Sequence, residues 1–269
     1  MPEVEQPEGV DRRLFLQRTA LAGAASALGL NAGRRLSAAP GDGEKADGRA
    51  LRVMVWCEGT APRSVYPHDV DGAIEGHLGR QSGMAVRRAR LSDPLAGLGD
   101  EALDATDVLI WWGHLRHDEV PADRTEAVVR RVRAGRMGLI ALHSSWCSKP
   151  FKRLMGMSCE PGGWREDGRP EHVRVKAPDH PIARGVAPFT IPRSDMFAEP
   201  FRVPEPETVV LVSAWDQGET VRSGMTWTVD KGRVVYLRTG HDAFPVLVHP
   251  AVRRLVANAT LWAGRREVG

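Results

Sequence analysis

"TDVLIWWGHLRHDEVPADRTEAVVRRVRAGRMGLIALH", residues 106–143, decides the fold. Its two ends, 106–113 and 137–143, are near-continuous apolar runs of strand length. The stretch between reads as a helix, with Asp118 as N-cap, Pro121 in the first turn and Gly135 as the stop. Strands that are apolar on both faces, joined through a helix, belong to a parallel sheet covered on both sides.

Working outward, the same alternation repeats. "LRVMVW" (51–56) and "MAVRRARL" (84–91) read as strands around the helical spacing of "VDGAIEGHLGRQ" (70–81). "SKPFKRLMG" (148–156) is a short helix. From Cys159 to about Glu207, Pro, Gly and charged residues dominate, with short strand-like pieces such as "EHVRVKA". That segment has too few apolar residues for a core of its own, so it is expected to be an excursion from the main domain. Strand texture returns in "ETVVLVSAW", "MTWTVD" and "GRVVYLRTGH", and the chain closes on the helix "HPAVRRLVANATLWAG". The expectation is one α/β domain over 51–266, preceded by a linker at 40–50.

The chain has 269 residues, a net charge of +3, 42% hydrophobic content and 26% charged content, values of an ordinary globular protein. Arg and Lys are scattered without a basic block, which argues against nucleic acid as the partner. "DRRLFLQRTALAGAASALGL" (11–30) has the paired arginines and mild apolar run of a twin-arginine export signal, expected to occupy 1–39. Asp11 stands where such signals usually carry Ser or Thr. The apolar run is too short to span a bilayer, so the mature protein is expected to be periplasmic or extracellular with no membrane span. Cys57, Cys147 and Cys159 allow at most one disulfide and show no zinc-knuckle spacing, so buried free thiols are expected.

In open parallel sheets ligands bind beyond the carboxyl ends of the strands. The residues standing there are Trp56, Cys57 and Glu58; Trp111, Trp112, His114 and His117; His143, Ser144 and Ser145; and His241 with Asp242. Several of the nine histidines thus fall at one edge of the sheet, as an acid/base site or a metal site requires. His114 also suits a polar turn and His117 with Asp118 a helix cap. Of Trp111 and Trp112, on opposite faces, one belongs to the core while the other either offers a flat ring to a sugar or caps the sheet. His143 ends a wholly apolar strand, where an unpaired imidazole would be costly.

"IWWGHLRHDEV", "GLIALHSSWCSKPFKRLMG", "HPIARGV" and "GRVVYLRTGHDAFP" together resemble the ThuA family, the trehalose-utilisation proteins, over about 52–264. The resemblance implies a flavodoxin-like fold similar to the class I glutamine amidotransferases. In those enzymes a cysteine nucleophile occupies the turn after a central strand; here His143-Ser144 stands in that turn and His241 in the place of the later histidine. Cys147 lies four residues past His143, so glutamine hydrolysis is not expected. The resemblance also implies disaccharide breakdown through keto-sugar intermediates made by a sugar dehydrogenase. Cleavage then needs a base near its working pH, a histidine or Glu199, and an electrophile on the carbonyl. A divalent metal, zinc foremost, held by His114, His143 and His241 would supply the latter. The expected catalytic set is His143, His241, His117, Asp118 and Glu199, with Trp56, Trp112, Ser144, Lys149, Trp164 and Arg165 binding the sugar. Where relatives tend to carry a small residue and a second histidine after "LHS", this chain has Ser145 and Trp146. An exported carbohydrate-binding protein without turnover, or a partner of a secreted dehydrogenase, are the alternatives.

Overall fold

The computed structural model describes residues 49–269, so the expected export signal and most of the linker lie outside the described residues. The first strand, β1 (Leu51–Cys57), begins where the apolar texture begins. It is followed by α1 (Asp69–Leu78), β2 (Met84–Arg90), α2 (Asp100–Asp104), β3 (Val108–Trp112), α3 (Ala122–Arg133), β4 (Gly138–Leu142) and α4 (Lys149–Met155). Then come β5 (Gly163–Val175), β6 (Phe189–Ala198), β7 (Thr208–Ala214), β8 (Thr220–Val229), β9 (Gly232–Leu237) and α5 (Pro250–Ala263).

All nine strands form one sheet in the order β2-β1-β3-β4-β9-β8-β7-β5-β6. The five strands from β2 to β9 are parallel, in the spatial order of a flavodoxin-like sheet. The other four extend it antiparallel, through β9–β8, β8–β7, β7–β5 and β5–β6. The fold class is therefore as the apolar runs indicate, with a mixed rather than wholly parallel sheet. The apparent excursion after Cys159 is built into it: β5 and β6 are the last two strands on one side, β6 forming that edge. Their alternating charged and apolar residues suit an antiparallel extension with one face toward water, and this texture hides strands from a search for continuous apolar runs.

Helices α1 and α5 cover one face, burying Val70, Ile74, Leu78, Val252, Leu255 and Val256 with Val53, Val55, Val108 and Ile110. On the other face the backbone of β9 comes so close to α3 that a Cβ at Gly232 would meet the Val132 carbonyl at 2.0 Å. Helix α3 starts after Pro121, and Asp118 sits apart in a 3-10 turn at His117–Glu119, so Asp118 is not its N-cap. The rims of the sheet carry Arg87, Arg88 and Arg90 on β2 and Pro192 and Arg193 on β6, residues that blunt edge pairing. No helix among the described residues is long and apolar enough to cross a membrane.

Candidate active site

The loops after β1, β3, β4 and β9 meet beyond the carboxyl ends of the parallel strands. The turn after β4 is the tightest of them: His143 has φ +52°, in the left-handed region that a branched or bulky side chain enters only at a cost. The strain is held by anchors on both sides. Ser145 Oγ donates to the Trp111 carbonyl (2.9 Å) and accepts from Gly113 N–H (3.0 Å), and Tyr236 donates to the His143 carbonyl (2.9 Å). The result aims a fully buried imidazole into the centre of the sheet's upper edge.

The tautomer of that imidazole follows from its neighbours. Its Nδ1 lies 3.0 Å from the Arg238 carbonyl, which only accepts, so Nδ1 carries the proton and Nε2 keeps its lone pair. Nε2 faces Asp195 Oδ2 at 3.6 Å and makes no hydrogen bond among the described residues. Burial pushes the His143 pKa down to about 3, so the ring is neutral. His241, whose ring centroid is 5.0 Å away, is set the other way round. Its Nδ1 accepts from Ala243 N–H (2.9 Å), which leaves the proton on Nε2.

Asp195, on β6, was not legible as a site residue, and it stands at the heart of the cluster. Ligand atoms of His143, Asp195 and His241 all lie within 4.8 Å of one another. Burial alone would raise the Asp195 pKa, but the Arg238 guanidinium and the Trp164 N–H favour the carboxylate, which stays ionised. Arg238 donates to Asp195 Oδ1 (2.5 Å) and pairs with Glu171, its guanidinium lying between the rings of Phe197 and Trp215. Ser194 and Ser213 complete the shell of Glu171.

A second carboxylate reaches the cluster by a local irregularity. In β5 the residues Arg165 and Arg169 pair with Met196 and Ser194, so Glu166, Asp167 and Gly168 face a single residue across the ladder. This bulge, with Gly168 at φ +65°, brings Glu166 Oε1 to 3.7 Å from His241 Nε2. At 24% side-chain exposure Glu166 reaches solvent, while His143, Asp195 and His241 are 1–2% exposed.

The other expected residues divide. Ser144 is in place, 2.8 Å from His114 Nδ1, and Trp164 donates to Asp195 Oδ2 at 3.3 Å. The ring of His114 is 6.3 Å from His143 and 6.4 Å from His241, so it lines the cluster, but Asp195 takes the place in the ligand group expected for it. His117 is buried and turned to Glu58 Oε1 (3.7 Å), its pKa lowered to about 3 by burial. Glu58 staples this loop by accepting from the N–H groups of His114 (2.9 Å) and Leu115 (2.8 Å).

Several expectations are corrected. Asp118 is exposed, and its carbonyl accepts from Lys149 Nζ (2.8 Å). Lys149 also reaches the Val120 carbonyl (2.6 Å), so it braces the loop after β3. Arg165 is engaged by Asp167 and Glu219 and braces the bulge. Trp56 is wholly buried, stacked on Trp111 with centroids 4.0 Å apart, and Trp112 is wholly buried with its Nε1 on the Gly240 carbonyl (2.8 Å). Both are core, not a sugar platform. Glu199 accepts from Arg222 (2.9 Å) and is held below the usual carboxylate range, burial being outweighed by that pairing, so it is a poor base. Cys147 is buried and its thiol is pushed up to about 12 by burial.

The model of the ThuA family, described as trehalose utilisation, matches residues 52–263. No curated protein matches the chain in sequence. Among solved structures, a putative ThuA-like protein from Bacteroides uniformis superposes with a TM-score of 0.58 at 18% identity, covering 84% of this chain and 95% of that one. A putative ThuA-like protein from Parabacteroides merdae gives 0.61 at 12% identity, covering 82% and 92%. A cytoplasmic protein from Salmonella typhimurium gives 0.54 at 14% identity, covering 79% and 99%. At such identities these likenesses concern the fold.

Proposed function

This chain belongs to the ThuA family, and on that premise we propose that it is an exported enzyme of carbohydrate utilisation that cleaves or converts a keto-glycoside. The observation that carries the reading is the meeting of a buried polar centre (His143, Asp195, His241) with one solvent-reaching carboxylate, Glu166, at the sheet edge where ligands bind. The centre is suited to holding a hydroxyl of the substrate, which donates to the His143 lone pair or the Asp195 carboxylate and accepts from His241 Nε2–H. Glu166 takes the role of base foreseen for Glu199.

A carbonyl acidifies the neighbouring C–H. Glu166 removes that proton, the electron pair forms an enolate whose oxygen accepts a hydrogen bond from His241 Nε2–H, and the pair then expels the glycosidic oxygen one carbon further on. The departing oxygen takes the proton back from Glu166, so atoms and charge balance. The keto group is supplied by a separate dehydrogenase, and the twin-arginine-like sequence at 11–30 supports a reaction outside the cytoplasm. The raised pKa of Cys147, which leaves no thiolate at neutral pH, supports setting glutamine hydrolysis aside.

The test is incubation with disaccharides and their keto derivatives, reading released monosaccharide. Release from the keto forms, lowered at least 100-fold in Glu166→Gln with binding retained, is the expected result. Binding without release from any of them would favour the carbohydrate-binding reading, for which the buried Trp146 in place of the family's second histidine speaks.

A further inference from the structure

Glu171, Asp195 and Arg238 are each 1% exposed or less, and together they carry one uncompensated negative charge. A net charge enclosed in this way is costly unless something positive joins it. The place where that something belongs is marked by a second observation. His143 Nε2 is buried, holds a lone pair and has no hydrogen-bond partner among the described residues, and it looks at a carboxylate oxygen 3.6 Å away. Two acceptors facing one another repel unless a cation or a donor lies between them. Ligands each about 2 Å from a tetrahedral ion stand about 3.3 Å apart, close to this spacing.

We propose that His143 Nε2, Asp195 Oδ2 and His241 bind one divalent cation of the zinc class, leaving an open position toward Glu166. Outer partners are already in place for each. His143 Nδ1 donates to the Arg238 carbonyl and Asp195 Oδ1 is held by Arg238, the arrangement that orients metal ligands elsewhere. His241 must move its proton from Nε2 to Nδ1, and there Asp242 Oδ1 waits at 3.2 Å to accept it in exchange for the Ala243 N–H bond. Two imidazoles and one carboxylate with open coordination suit zinc or another borderline ion more than calcium or magnesium. The other group of potential ligands, Cys57, Asp69 and Asp71, is a poor rival because Arg90 already pairs with Asp71 at 2.8 Å. The inference rests on the site of the proposed reaction but not on its substrate.

Untagged full-length protein purified without chelators is assayed for metal, stripped, and titrated calorimetrically with zinc ion. One ion per chain is expected, with affinity at least 100-fold lower in His143→Gln and in Asp195→Asn. Because Asp195→Asn disturbs the Arg238 pair, His241→Asn is run beside it with circular dichroism as the check on folding. His114→Asn is expected to keep the ion. Cobalt substitution gives a visible ligand-field band that disappears in the same variants. No bound ion and no heat up to millimolar zinc, or equal affinity in wild type, His143→Gln and His241→Asn, overturns the site. An intact metal site in a protein that releases nothing from any keto-glycoside refutes the sugar reading alone.

Discussion

Arg238 shows how a single residue sets the chemistry of its neighbours. It directly follows β9, packs on the rings of Phe197 and Trp215 and holds two buried carboxylates, so its loss leaves both without their cation. Arg238→Met is expected to cost about 3–5 kcal/mol in denaturant unfolding, far more than an exposed arginine would. His117 makes a different prediction, through pH. Its pKa is near 6.5 when unfolded and about 3 when folded, lowered by burial and then by His114 and Lys152. Between those values the unfolded state binds a proton that the folded state refuses, so stability falls as pH drops from 6.5 toward 3, by up to about 1.4 kcal/mol per unit. His117→Gln is expected to flatten that part of a plot of stability against pH.

At the scale of elements, the β5 bulge does for Glu166 what a loop does for His143. Gly168 lies at φ +65°, and an added Cβ would touch Phe244 at 3.4 Å. Gly168→Ala is expected to cost about 1–2 kcal/mol and to lower kcat more than it raises KM, because it displaces Glu166 without touching the buried centre. This element also marks the limit of what the sequence discloses. Strands β1, β3 and β4, and the histidines after β3 and β4, are legible because a buried parallel strand is a continuous apolar run and its end is plain. Glu166, Glu171 and Asp195 lie inside amphipathic antiparallel strands, where a carboxylate is as common on the wet face as on the buried one. Only the register and the bulge tell which way each turns. Conversely, Trp56 and Trp112 looked available because they end strands, yet the loops beyond them fold back and bury both.

For the molecule as a whole, mixed pairing lets one sheet be both scaffold and wall. Its parallel half presents backbone loops and histidines, and its antiparallel half carries acids across from them. The cysteines behave as core residues: Cys57 and Cys159 are wholly buried and Cys147 is 7% exposed. A thiol reagent is therefore expected to label the native protein very slowly and to find three free thiols once guanidinium unfolds it. Fast native labelling, or fewer than three, would contradict that packing.

The left-handed backbone at His143 has a consequence for how this protein responds to selection. Glycine or asparagine suits that conformation better than histidine does, so the position trades backbone ease for an imidazole. A library of variants screened for heat resistance alone is expected to drift toward Gly or Asn at 143, while one screened for turnover keeps the histidine. The residue found at this turn then records which of the two demands shaped a lineage.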